Sequence, residues 1–132
     1  MHELGIVSGV LDTVRNTVRH EHAVRALEVR LRIGDMAQVV SESLDFAWDV
    51  LRDEDPVTAG CALVVEEVHP RSRCLACGNE FDHDCHHFRC PACGSGDTTL
   101  LAGRELDIVS IEIEDDDDAA ADAPQGAAAE AV

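Results

Sequence analysis

Apolar residues in the first twenty positions fall at Leu4, Val7, Val10/Leu11, Val14 and Val18, with Asp12, Arg15, Asn16 and Arg19 opposite. Steps of three and four residues set one side of a helix against a core, and this helix is expected to end near Arg19-His20. The period then changes. Leu27, Val29, Leu31 and Ile33 alternate with Glu28, Arg30 and Arg32, so Val24 to Ile33 reads as a strand with one buried and one solvated face. Gly34-Asp35 ends it. Ser41-Glu42-Ser43 opens a second helix, with Ser41 as the expected cap and Glu42 at the positive helix end. Leu44, Ala47/Trp48 and Leu51 form its apolar stripe, and Asp53-Glu54-Asp55-Pro56 breaks it. Ala62 to Val68 reads as a second strand. Leu106, Ile108, Val109, Ile111 and Ile113 read as a third, with a one-residue slip at Ile108-Val109 that fits a bulge.

Residues 71–102 break this pattern. They hold five of the six Cys, three of the seven His and three of the nine Gly, and no apolar periodicity long enough to build a core. Such a stretch needs a staple, which Cys can provide. After Ile113 the core material stops. The segment from Glu114 to Val132 carries seven acids and no base, and is expected to be a disordered, solvated tail.

Composition narrows the function classes. A chain of 132 residues holds one domain or two very small ones. All ten basic residues are Arg, which removes phosphate-cradling GxxxxGK loops and Schiff-base lysines. A net charge of −17 opposes nucleic-acid binding, because neutralising phosphates takes an excess of cations. No apolar run reaches the length of a membrane span. The start Met1-His2-Glu3-Leu4 has neither a basic region nor a continuous apolar stretch, so no signal peptide is expected. The expected compartment is the cytoplasm, where thiols stay reduced and paired Cys motifs more often hold metal than disulfides.

Those motifs are Cys74-Leu75-Ala76-Cys77-Gly78 and Cys90-Pro91-Ala92-Cys93-Gly94. A two-residue gap lets both sulfurs of one knuckle reach a single ion, and two knuckles complete a tetrahedral set. The Gly after each second Cys permits the positive φ such a turn tends to need. Four thiolates with no open position describe a structural Zn(II) site at Cys74, Cys77, Cys90 and Cys93. Iron in a rubredoxin-like site is the rival, disfavoured by three Phe, one Trp and no Tyr to pack around it. Between the knuckles, Asp82-His83-Asp84-Cys85-His86-His87 is either a polar loop tip or a second, weaker metal site. Cys61 is expected to be a buried small hydrophobe. His20, His22 and His69 are expected to be surface or capping residues.

The N-terminus offers a different donor set. His2 follows Met1, so the α-amine, the residue-2 amide nitrogen and the imidazole can close five- and six-membered chelate rings on one ion. The Glu3 amide can add a fourth nitrogen and its carboxylate an oxygen. Nitrogen-rich square-planar sets favour Ni(II) or Cu(II). The plainer reading is a histidine at a helix start with no ligand role.

Met1-His2-Glu3, the Ser41-Glu42-Ser43-Leu44-Asp45-Phe46-Ala47-Trp48 helix, the two knuckles and the Gly103-Arg104-Glu105-Leu106-Asp107-Ile108 strand together resemble the HypA/HybF family of nickel metallochaperones, over residues 1 to about 114. The acidic tail lies outside the family pattern. The resemblance implies an α+β fold. A small three-stranded sheet with two helices forms a nickel-binding module over residues 1–70, completed by the strand at 104–114. A zinc-ribbon-like module is inserted at 71–103, and 115–132 is the disordered acidic tail. It implies His2 as ligand for Ni(II) as transient cargo, with Met1 and Glu3 supplying further donors, and structural zinc on the four cysteines. Some members add a carboxylate from the start of the second helix. Glu42 is the nearest candidate, and Val39 and Val40 beside it leave that ligand open. The implied partners are a HypB-type GTPase and a hydrogenase large subunit, with no nucleic acid and no membrane. The chain would act as a monomer or homodimer in maturation of [NiFe]-hydrogenase, or of urease in some organisms. No catalysis is expected: neither GxSxG nor HExxH occurs. The alternative is a zinc-ribbon adaptor that binds only protein partners, with His2 inert.

Overall fold

The structure is a computed structural model and describes residues 2–115. Met1 and the acidic segment from residue 116 onward lie outside the described residues.

The order of elements is α1 (Glu3–His20), β1 (Ala23–Gly34), α2 (Ser41–Leu51), β2 (Ala62–Val68), β3 (Arg71–Cys74), β4 (Glu80–Asp82), β5 (Thr98–Ala102) and β6 (Leu106–Asp115). Short 3₁₀ turns follow β1 and α2. Two three-stranded sheets result, in the orders β2-β1-β6 and β4-β3-β5. The two helices, the three long strands and the Cys-rich insert are thus those expected from the periodicity. The insert's own short strands carry no alternation to announce them.

The chain divides into two compact units. The first takes the described residues up to Leu31, Val40–Val64 and those from Ile108 on; the second takes Arg32–Val39 and Val65–Asp107.

In the first unit, α1 packs on α2. Val7, Leu11, Val14 and Val18 of α1 are buried, as are Leu44, Ala47 and Trp48 of α2. Ala26, Val29 and Leu31 of β1 and Ile111 and Ile113 of β6 join this core. Each fully buried Val or Leu contributes roughly 1.5–3 kcal/mol. The expected stripes depart from the structure at two places. Leu4, counted with the buried face of α1, is exposed. Leu27, expected inward on β1, is exposed, and Ala26 takes the inward place, its N–H bonded to the Val57 carbonyl at 2.8 Å.

Polar groups tie the helices to the segment after α2. Trp48 is buried, and its Nε1–H donates to the Cys61 carbonyl at 2.8 Å. Thr58 is fully buried and donates its hydroxyl to the Arg52 carbonyl at 2.8 Å, while accepting from the Arg15 guanidinium at 3.2 Å. The same guanidinium reaches the Leu51 carbonyl at 3.1 Å. Those carbonyls close α2, whose last C=O groups have no partner within the helix.

The start of α2 differs from expectation. Val40, not Ser41, is the N-cap, and no side chain of its own caps the helix. The Val40 N–H is instead taken by Glu3 Oε2 at 2.7 Å, a carboxylate from the first turn of α1.

In the second unit, β3 pairs antiparallel with β4 and β5, with Ser72 opposite Phe81 and Leu100. Its apolar centre is Cys74, Phe81 and Cys90, so two of three core side chains are thiols. Gly34 and Gly103 touch backbone to backbone. A Cβ on Gly34 would fall on the Gly103 carbonyl group, and one on Gly103, whose φ is +126°, would sit 2.9 Å from Pro70 Cα. The Met36 N–H donates to the Gly103 carbonyl at 2.7 Å beside this contact.

Candidate metal centres

The two knuckles fold alike. In each, the N–H of the glycine bonds back to the carbonyl of the first cysteine, Gly78 to Cys74 at 2.9 Å and Gly94 to Cys90 at 2.8 Å. Both glycines have positive φ, +81° and +79°. Side chains pay a steric cost there that glycine avoids. The turn leaves amides pointing at the first sulfur. Ala76 and Cys77 N–H donate to Cys74 Sγ at 3.3 and 3.4 Å, and Ala92 N–H donates to Cys90 Sγ at 3.3 Å.

The four sulfurs converge within 4.8 Å of one another. Cys74 and Cys93 are 3.5 Å apart, and Cys77 and Cys90 3.7 Å. A tetrahedron with metal–sulfur distances of about 2.3 Å has sulfurs about 3.8 Å apart, so the spacing fits one ion of that size. All four are free cysteines. Their acidities split. The Cys77 amide, above all, lowers the Cys74 thiol. Burial raises Cys90, but the Cys93 and Ala92 amides outweigh it and bring this thiol to about 6. The Asn79 amide lowers Cys77, but hydrogen bonding to Cys90, burial and hydrogen bonding to Cys74 together overcome it and raise this thiol. Cys93 is pushed up to about 12: the Ser95 amide lowers it, and neighbouring sulfurs with burial overcome that. Backbone amides thus favour the thiolate at the first sulfur of each knuckle, and a cation bound to all four would release the protons of the rest.

The loop between the knuckles does not build a second centre. His83 Nδ1 lies 2.7 Å from the Asp84 carbonyl, which only accepts, so Nδ1 carries the proton. Nε2 then accepts from the buried Ser72 hydroxyl at 2.7 Å. The ring sits between Phe81 and Phe88, at centroid distances of 5.5 and 5.4 Å. Both nitrogens are spent on the fold. Asp84 takes the amides of His86 and His87 and the His87 imidazole at 2.7–2.8 Å, and these donors, the His86 amide first, hold its carboxyl down at about 2. Cys85 Sγ points to the Asp35 carbonyl at 3.6 Å. Among the described residues, the only group of three or more such donors that converges is the four cysteines.

Cys61 is fully buried, and burial pushes its thiol up to about 11, the setting of a packed residue rather than a ligand. His20 lies exposed in the last turn of α1. His22 is exposed at φ +58°. His69 Nδ1 pairs with Asp35 at 2.7 Å, which raises its pKa.

At the N-terminus, His2 is exposed and is the N-cap of α1, with extended backbone (φ −88°, ψ 91°). Its carbonyl accepts from Ile6 N–H at 3.1 Å, so the helix uses that oxygen. The amides of His2 and Glu3 precede the helical hydrogen-bond ladder, and metallating them would cost no intrahelical bond. The Val40 amide holds the Glu3 carboxyl below its ordinary range. His2, Glu3, Leu4, Glu42, Ser43 and Phe46 line one open cleft of about 450 Å³. Glu42, left open by spacing, thus shares a cleft with His2. Sequence periodicity had placed Leu4 in the core and said nothing of Phe46.

The family described as "Hydrogenase/urease nickel incorporation, metallochaperone, hypA" matches residues 1–113. The chain is 39% identical over 117 residues to hydrogenase maturation factor HypA of Streptomyces avermitilis, covering 87% of this chain and 88% of that protein. It is 40% identical over 114 residues to hydrogenase maturation factor HypA of Chlorobium phaeobacteroides, covering 86% and 100%. The fold is similar to the solution structure of the Ni metallochaperone HypA from Helicobacter pylori, with a TM-score of 0.64 at 20% identity, covering 88% of this chain and 100% of the other.

Proposed function

Because the chain belongs to the HypA family of hydrogenase/urease nickel-incorporation metallochaperones, we propose that it carries Ni(II) at its N-terminus and delivers it for maturation of a [NiFe]-hydrogenase. His2 is the principal ligand, with nitrogen donors from Met1, which lies outside the described residues, and from the backbone of Glu3. One observation carries this reading: His2, Glu3 and Glu42 line a single open cleft at the start of both helices. An open, exposed site suits a carrier, which must release its ion. The Glu3 carboxylate already holds the Val40 amide, so backbone nitrogen is the better donor from that residue.

Zn(II) is the resident ion of Cys74, Cys77, Cys90 and Cys93. It supplies a cross-link to a unit whose apolar centre is otherwise one Phe and two thiols. The two ions therefore fall to different parts of the chain. Zinc stays with the 71–103 insert, and nickel passes through residues 1–70 and the strand that completes them. No turnover chemistry belongs to this reading. The work is done in the cytoplasm with a HypB-type GTPase and the hydrogenase large subunit.

The test is a nickel titration of zinc-loaded, untagged protein beside His2→Ala and a variant with one residue added before Met1. The expected result is one Ni(II) per wild-type chain and loss of that binding in both variants. Equal binding by all three would overturn the N-terminal chelate and favour the adaptor.

A further inference from the structure

We propose that the outer face of α2 beside the His2 cleft docks a partner segment that is apolar at its centre and basic at its rim. Phe46 is 72% exposed, Leu4 60% and Val50 48%. Isolated exposed apolar residues are ordinary. These three are not isolated. Phe46 and Leu4 line the same cleft, and Val50 follows Phe46 by one helical turn on the same face. The opposite stripe of α2 already fills the core with Leu44, Ala47 and Trp48. Nothing inside the first unit asks for a phenyl ring at position 46.

Charge selects the occupant. Exposed acids flank the apolar residues: Glu42 in the cleft lining, then Asp45 and Asp49. Asp49 lies 3.5 Å from Arg52, whose guanidinium is also turned onto the Cys61 carbonyl. Glu42 and Asp45 form no ion pair with an arginine among the described residues. A second copy of this chain would set acid against acid in a molecule of net charge −17. The acidic segment after β6 would be repelled in the same way. A cationic, amphipathic segment of another protein meets both requirements, and its apolar residues would cover the mouth of the cleft. What such docking achieves for metal transfer rests on the carrier reading, whereas the docking itself does not.

The experiment uses the zinc-loaded full chain and three acetylated, amidated peptides of equal length: an amphipathic Leu/Arg helix, its Leu/Glu counterpart and a scrambled Leu/Arg control. Amide shifts are mapped by NMR, and affinity is read by fluorescence anisotropy at two salt concentrations. The Leu/Arg helix is expected to shift Leu4, Glu42, Phe46 and Val50 together. Phe46→Ser should weaken it at least tenfold with the circular dichroism of the chain unchanged, and Asp45→Asn should weaken it most at low salt. Equal binding of the scrambled or Leu/Glu peptide, shifts elsewhere on the chain, or no effect of Phe46→Ser would overturn the proposal. So would concentration-dependent dimerisation that Val50→Ser abolishes, since a second copy would then own the face. A nickel titration of the wild-type chain separates the two readings. No nickel binding with localised peptide binding removes the carrier and leaves the docking surface, and the converse removes only the docking surface.

Discussion

Thr58 shows how much one hydroxyl can hold. It is fully buried, donates to the Arg52 carbonyl and accepts from Arg15, a residue 43 positions earlier. Thr58→Val keeps the shape but takes the donor from the buried Arg52 carbonyl and one of the acceptors from Arg15, which keeps the Leu51 carbonyl, so it should cost about 1–3 kcal/mol in urea unfolding. Thr58→Ser, which keeps the hydroxyl, should recover most of that loss. His69 tests the electrostatics of a second residue. Asp35 raises its pKa above the ordinary 6.5, first through their hydrogen bond and then through its charge. A raised folded pKa means that the pair's contribution is full below 6.5 and is lost as pH rises through the higher folded value. An NMR titration should place the His69 midpoint above 6.5, and Asp35→Asn should bring it down. None of these partnerships was legible in the sequence, because each joins residues that only the fold brings together. The cysteine knuckles were legible to the last glycine, because their geometry is complete within five residues and the positive φ at Gly78 and Gly94 is a local demand.

At the scale of elements, periodicity found α1, β1, α2 and β6 because each buries one face against a core, whereas β2, read as a strand as well, is at most half-buried along its length. It failed where a tertiary partner replaced a local one. Ser41 fits a cap by type, but Glu3 reaches the Val40 amide from 37 residues earlier and sets the helix start one place sooner. Strands β3, β4 and β5, of three to five residues each, went unread because antiparallel pairing and clustered sulfur hold them, not an apolar alternation. The element ends carry their own prediction. Gly34→Ala drives a Cβ into the Gly103 carbonyl, and backbone on both sides cannot yield as a side chain would. The loss should meet or exceed the roughly 1–3 kcal/mol typical of overpacked sites. Thermal unfolding of Gly34→Ala beside the exposed control Gly9→Ala, where nothing lies within 4 Å, measures it.

For the molecule as a whole, the two units rest on different kinds of cohesion. The first has a conventional core centred on Trp48, Leu11 and their neighbours. The second has Phe81 clustered with two thiols. Stripping zinc-loaded protein with a thiol-selective mercurial and a chelator should therefore act unevenly. Amide signals of β3, β4 and β5 should lose their dispersion while those of α1 and α2 keep theirs, and Trp48 fluorescence should stay in its buried, blue-shifted band. Readdition of Zn(II) should restore the lost signals, and uniform loss across both units would contradict the division. The acidic segment expected to be disordered adds nothing to this account, since it lies outside the described residues.

The contact between Gly34 and Gly103 also bears on how such a chain can vary over generations. Every other amino acid adds at least a Cβ, and at either position that atom lands on main chain. Neither site takes even alanine without moving main chain, that of Gly103 for Gly34 and that of Pro70 for Gly103. Drift has more room at exposed helix positions away from the docking face of α2 than at this crossing, where any added atom must displace main chain.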